Sequence, residues 1–456
     1  MCGATVVMLL ASLSGTALAQ TIVAIPDPSL SNAVRCALTQ PGDPLTVTDL
    51  QGLTCLSAGD RQITNLSGLD WATNLASLYL SRNAITDLGP LRNLTRLRSL
   101  EFEQNQISDL SPLLGLTNLT CLSLGANPVN DYSVLSNLTC LSSLSVRGGS
   151  LTDLTILQPL NQLASLVLWR NGICDLSPLS GLTNLSRLDL RWNSITNCNV
   201  LTNFAGAANL RSLYLGGNSL TSTPFLQSLA HLALLNLDEN QISDLSPMDG
   251  LTNLTYLSLN ANLITDGSVL SNLAGLINLE LHGNAISNMD FIASLGQLNY
   301  ADLAYDSISN LAPLANLTRL TSLVLEGNPV SDYSPLYGMT NLVNLWLHDN
   351  TITNAQFLTQ LPWLNHLNLD HNQITDLTFL SAFTNLTGLG LSRNPVADYS
   401  PLAVAAFTNL NSLRLEGDCL SEADVASFIA PFQSLAFLSL NHNRIANLTP
   451  VTSPTA

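Results

Sequence analysis

A 22-residue period, an asparagine recurring once per period and a short apolar alternation beside it predict an α/β solenoid of leucine-rich repeats. The expected form is a horseshoe or arc, with a parallel β-sheet on the concave face, 3₁₀ or simple turns on the convex side and a helical N-terminal cap. The pattern reads LxxLxLxxNxI, usually followed by xDLSPLxxLTN, from about Leu53 to Ile445. Its markers are Arg61, Asn83, Asn105, Asn127, Gly149, Asn171, Asn193, Asn218, Asn240, Asn262, Asn284, Asp306, Asn328, Asn350, Asn372, Asn394, Asp418 and Asn443, which makes 18 units. The step is 22 residues except after Asn193, Asn394 and Asp418, where it is 25, 24 and 25.

Each element follows from this unit. Alternation such as Leu78-Tyr79-Leu80 gives a short strand with two leucines inward and one residue outward. One coil cannot bury that apolar face alone, so neighbouring coils bury each other's leucines and the ends need caps. Strands about 4.8 Å apart would extend 18 coils to roughly 80–90 Å. The marker asparagine both donates and accepts, so Asn83, Asn105, Asn127, Asn171, Asn193 and Asn240 are structural positions satisfying backbone groups turned inward. Gly149 and Asp306 weaken that ladder. The return segment, as in Asp109-Leu110-Ser111-Pro112-Leu113, leaves room for a tight turn, and its proline argues against long helices. At Asn127, Asn328 and Asn394 the variant NPVxDYS reads as an alternative convex turn.

Four segments are expected: a signal peptide at 1–19, a helical cap at 20–52, repeats at 53–448 and a linker-like tail at 449–456. The first rests on the apolar run Ala4 to Leu13 and on Ala17-Leu18-Ala19, a small-x-small cleavage signal before Gln20. No later segment approaches 18 apolar residues, so no membrane insertion is expected. In the cap, Asp27 is the expected N-cap and Pro28 the first helical residue, with Leu30, Val34, Ala37 and Leu38 as the apolar stripe. Eight cysteines are too few and scattered for a disulfide scaffold, but Cys36 on the helix and Cys55 on the first strand are candidates for one staple. Cys198 stands where neighbouring coils have a buried leucine and reads as a core residue.

The charge pattern excludes partners. The 32 acidic and 15 basic residues, all 15 of them arginine, give a net charge of −17, which disfavours nucleic acid and anionic membranes. There is no GxSxG elbow, P-loop or dinucleotide fingerprint, so neither an enzyme nor a cofactor is indicated.

The concave positions are mostly Ser, Gly or Asn, and two clusters depart from that background. Arg147, Trp169 and Arg191 share one position in three consecutive coils, with Arg170, Arg187, Asp189 and Trp192 beside them. Tryptophan and arginine are the residues most enriched at binding hot spots, although the same alternation would also satisfy itself as a surface ladder. Glu326, His348 and Asp370 form a second column, flanked by Trp346, Asp349, His366 and His371, and Tyr256, His282, Tyr300 and Tyr305 extend it. Histidine and carboxylates at that spacing suit a contact patch and, as alternatives, a divalent metal or proton transfer. No zinc-type spacing such as HExxH occurs, so no metal is assigned.

The cap PDPSLSNAVRCAL, the junction LTCLSAGDRQITNLSGLDWATNL and units such as LRSLEFEQNQISDLSPLLGLTNL resemble the internalin-like family of bacterial leucine-rich-repeat proteins over Ile25 to about Leu448. The resemblance implies a secreted or cell-surface binding protein, non-enzymatic and monomeric, that recognises a protein or glycan. The candidate ligand-binding residues are Arg147, Trp169, Arg170, Arg191, Trp192, Tyr300, Tyr305, Trp346, His348 and Asp370. The immunoglobulin-like module, cell-wall sorting motif and anchoring repeats that several members carry are not found in the sequence. Two alternatives stand beside this reading: a structural spacer, and a metal-dependent or catalytic column at Glu326, His348 and Asp370.

Overall fold

The computed structural model describes residues 21–39, 44–405, 407–429, 432 and 434–446. The expected signal peptide at 1–19 and tail at 449–456 lie outside them. The chain divides into two compact units, one up to Leu141 and one from Ser142 onward.

The first unit opens with helix α1, Pro28–Ala37, and helix α2, Val47–Gln51. Asp27 caps α1, its Oδ1 accepting from the Leu30 amide at 3.0 Å. Its Oδ2 accepts from the Thr64 amide at 2.8 Å and the Asn65 amide at 3.3 Å, tying the cap to the first coil. Burial pushes the Asp27 carboxyl up, but the amides of Thr64, Leu30 and Asn65 outweigh it and hold the pKa below its ordinary value. The buried stripe of α1 is Leu30, Ala33 and Val34, whereas the expected Ala37 is exposed and Leu38 half-buried. That rotation leaves Cys36 on the exposed side. Cys55 is exposed as well and both thiols are free, so the expected staple is not formed.

Four parallel strands follow in this unit, at Cys55–Ser57, Ser77–Tyr79, Ser99–Glu101 and Cys121–Ser123, with Leu56, Leu78, Leu100 and Leu122 in register. The second unit carries fourteen, from Ser143–Ser145 to Phe437–Ser439, among the described residues. The longer steps are absorbed outside the strands: Leu188 still pairs with Leu213 and Leu389 with Leu413. Most return segments contain a 3₁₀ turn. In DLSPL units the aspartate opens it, as where the Ser111 amide and hydroxyl both donate to Asp109 at 2.8 Å. Of the three long steps, the one after Asn193 keeps a 3₁₀ turn, at Asn199–Asn203, whereas those after Asn394 and Asp418 carry short α-helices at Ser400–Val404 and Glu422–Ile429, so the expectation of turns alone fails at these two. The NPVxDYS variants bury Tyr132, Tyr333 and Tyr399 where DLSPL units bury a leucine. Cys198 is fully buried, and the loss of water pushes its thiol up to about 12.

The marker asparagines bridge consecutive coils. Asn105 Nδ2 donates to the carbonyls of Leu80 and Phe102 at 3.0 and 3.1 Å, while its Oδ1 accepts from the Ile85 amide at 3.0 Å. Asn83, Asn127, Asn171, Asn193 and Asn240 each donate likewise to one carbonyl in their own coil and one in the coil before. Asp306 cannot: its Oδ1 accepts from Ile286, but Oδ2 is buried without a hydrogen-bond partner. Burial, with the charge of Asp302 adding to it, pushes its pKa up to about 7.

Candidate ligand-binding face

The marker sets the geometry of every outward side chain. Residues six, four and two places before it alternate outward from the strand. The residue immediately before it has a positive φ in all eighteen coils, so the chain turns through the left-handed region each time. Five of those residues are glycine, at 148, 217, 283, 327 and 417, for which this conformation is free. Each of the others carries a strain of about 1–2 kcal/mol, and the bulkiest are Trp192 and Tyr305, at φ 55° and 51°.

Those two rings are accommodated in the same way. A Cβ on Gly217 would lie 2.6 Å from the Trp192 ring, and one on Gly327 would lie 2.5 Å from the Tyr305 ring. Each aromatic side chain therefore lies across the glycine of the next coil. The sequence singled out Trp192 and Tyr305 by residue type, but not the left-handed backbone or the seat. The signal was available as a bulky residue followed one coil later by glycine.

Around Trp192 the structure assembles most of the first predicted cluster. The Arg170 guanidinium lies 5.2 Å from the Trp169 ring centre and 5.5 Å from that of Trp192. The buried carboxylate of Asp189 accepts from Arg191 Nε at 2.9 Å and Nη2 at 2.6 Å, occupying both arms of that guanidinium. Arg187 and Arg191 also lie 4.5 and 5.0 Å from the ring of Tyr214, whose hydroxyl accepts from Arg187 at 3.0 Å. Tyr214 was not singled out from the sequence, being one coil beyond the arginine and tryptophan column. Arg147 holds the expected position in that column, one coil before Trp169.

The second cluster is drawn together only in part. His348 Nδ1 lies 2.7 Å from Glu326 Oε1, and His371 Nδ1 lies 3.0 Å from Asp349 Oδ1. The Tyr305 hydroxyl donates to Asp349 and lies 3.5 Å from His348 Nε2. Burial lowers the His348 pKa, but Glu326, Asp349 and Asp370 outweigh it and hold it above its ordinary value. Asp370 turns away, its Oδ1 accepting from the Ser392 amide at 2.6 Å, while Oδ2 lies 3.7 Å from Arg414. The three residues read as a metal or proton-transfer column thus do not converge. Among the described residues no three His, Cys, Asp or Glu side chains gather as a metal-holding group. Trp346 packs against His366 at 5.7 Å, and Tyr300 is half-buried, which pushes its hydroxyl up to about 12.

Charge is distributed unevenly along this unit. Arg147, Arg170, Arg187, Arg191 and Arg211 fall within a few coils, and no arginine then occurs until Arg319. The outward strand positions from Asp238 to Asp370 carry Asp238, Glu280, Asp302, Glu326 and Asp370 and no arginine. A cavity of about 380 Å³ lies away from both clusters, on the return side, between Val330, Tyr333, Tyr337 and Phe357.

Comparison with known proteins agrees with this geometry. A family described as leucine-rich repeats, two copies at a time, matches residues 73–115, 208–250 and 340–382. No curated protein matches the chain. Among solved structures, an internalin of Listeria monocytogenes, InlF, is 29% identical with a TM-score of 0.52, covering 81% of this chain and 96% of that one. The functional domain of InlJ from the same organism is 24% identical with a TM-score of 0.59, covering 87% and 81%. A leucine-rich-repeat protein of Leptospira interrogans is 21% identical with a TM-score of 0.64, covering 86% and 97%. The repeat, its asparagine ladder and these likenesses show a leucine-rich-repeat solenoid that is similar to the internalins of Listeria monocytogenes.

Proposed function

We propose that the chain is an exported, non-enzymatic binding module, acting outside the cell or at its surface as a monomer without cofactor. It holds a protein ligand across the strand face of the second unit. Repeat solenoids of this kind present continuous surfaces suited to that task. The observation that carries the reading is the retention of Trp192 and Tyr305 on left-handed backbone, where glycine is the unstrained choice. Strain of that kind gathers at functional positions, and neither ring is fully buried: both are 41–43% exposed. Trp169, Arg170, Arg191, Tyr300, Trp346, His348 and Arg147 complete the contact surface, and Asp370 supports its edge through Ser392 and Arg414.

The test compares extracellular proteins captured by the purified chain and by a Trp169→Ala/Trp192→Ala variant of matched far-UV circular dichroism. The reading expects a ligand retained by the first and lost by the second. Identical capture by both would favour the spacer alternative.

A further inference from the structure

Among the described residues, the first patch contains one cation whose side-chain donors are unused. Arg187 and Arg191 are engaged by Tyr214 and Asp189. Arg170 is exposed, and among the described residues its guanidinium makes neither a hydrogen bond nor an ion pair. Its partners there are the faces of Trp169 and Trp192. Two indole rings lie beside the guanidinium without consuming any of its five N–H donors. That is the arrangement best prepared for two parallel hydrogen bonds to a carboxylate, with little rotamer entropy left to lose. The backbone at Arg170 and Trp192 is left-handed, at φ 58° and 55°, and the glycine at 217 makes room for the Trp192 ring. Arg170 and the ring that holds it are therefore placed at the expense of backbone strain in two successive coils.

Building on the binding function proposed above, we infer that Arg170, held between Trp169 and Trp192, is a carboxylate-binding site for a short acidic segment of a polypeptide ligand. The charge pattern limits its length. With a net charge of −17 the chain repels extended polyanions, and carboxylates occupy the strand face from Asp238 on. Asp238 stands three coils beyond Trp169, roughly 15 Å away at the strand spacing, so the ligand's acidic stretch ends within that distance. Past it, neutral or basic ligand residues fit better. A polypeptide meets these conditions with one or two Glu or Asp residues, whereas a sulfated glycan carries its charge along its whole length.

The test is selection of a random dodecapeptide display library on the full chain at low salt, repeated with Arg170→Ala and with Trp169→Ala/Trp192→Ala. Expected are peptides enriched in one or two neighbouring acidic residues, with glutamine or asparagine replacements binding about tenfold more weakly or worse. Arg170→Ala should lose that preference while keeping its melting temperature, and Arg319→Ala should keep it. Peptides that need the tryptophans but show no acidic preference would overturn the inference and leave the binding function standing. Peptides indifferent to both variants would overturn both. Selection of nothing, or Arg170-dependent binding of heparin tighter than of any selected peptide, would overturn the acidic-peptide assignment.

Discussion

At the scale of the residue, the clearest liability is Asp306. It occupies an asparagine position but has no amide hydrogens to offer the carbonyls there, and its pKa rises from 3.8 to about 7. The folded chain therefore keeps a proton that the unfolded chain has released between about pH 4 and 7. Stability falls as pH rises through that window, and the loss is complete above about 7. Asp306→Asn should raise stability at pH 8 by about 1–3 kcal/mol, the usual penalty for a buried polar group without a partner. The gain should be much smaller at pH 4. Thermal melts of both proteins at the two pH values check this, and an equal difference at both would refute it. Asp27 has the opposite sign: its lowered pKa gives a stabilisation present at neutral pH and lost as pH falls below about 4. Asp27→Ala should remove the α1 cap and the tie to Thr64, destabilising the first unit by about 1–3 kcal/mol in urea titration.

At the scale of the element, the turn out of each strand is the feature with most consequence. Ala261 sits there at φ 52°, exposed, gaining nothing from its methyl group. Ala261→Gly should stabilise the chain by about 0.5–1 kcal/mol, the left-handed strain relieved less the added freedom of the unfolded glycine. Gly217→Ala should do the reverse and also displace the Trp192 ring, read as a shift in tryptophan emission. The strand, its register and the asparagine role were legible in the sequence because each repeats every coil and obeys a fixed period. The left-handed residue was not, because thirteen of its eighteen occupants are not glycine and no residue type marks it. The Cys36 staple and Ala37 failed for a related reason: in a ten-residue helix a small rotation decides which flank is covered.

At the scale of the whole molecule, composition and charge position matter more than shape. The arginines of the Arg147 to Arg211 stretch are offset by few acidic residues nearby, while the later coils are acidic. Binding of an acidic ligand should therefore weaken steeply between 50 and 300 mM salt, the Debye length shrinking from roughly 14 to 6 Å. Isothermal titration across that range checks it, and salt-independent affinity would refute an electrostatic contribution. Which residues lay in the two columns was legible from the period alone. How they pair was not: Asp189 takes Arg191, and Asp370 leaves His348 for Ser392, choices set by side-chain reach.

The glycine seats also separate what the chain recognises from what keeps it folded. The turn before the marker keeps the same backbone conformation whether it carries tryptophan, arginine, alanine or histidine, so its side chain can be rewritten without disturbing the leucines or the ladder. A coil followed by a glycine at this position is then a vacant socket. Ala261, with Gly283 in the next coil, is one, and grafting a tryptophan at that position would extend the aromatic shelf into a new stretch of the molecule.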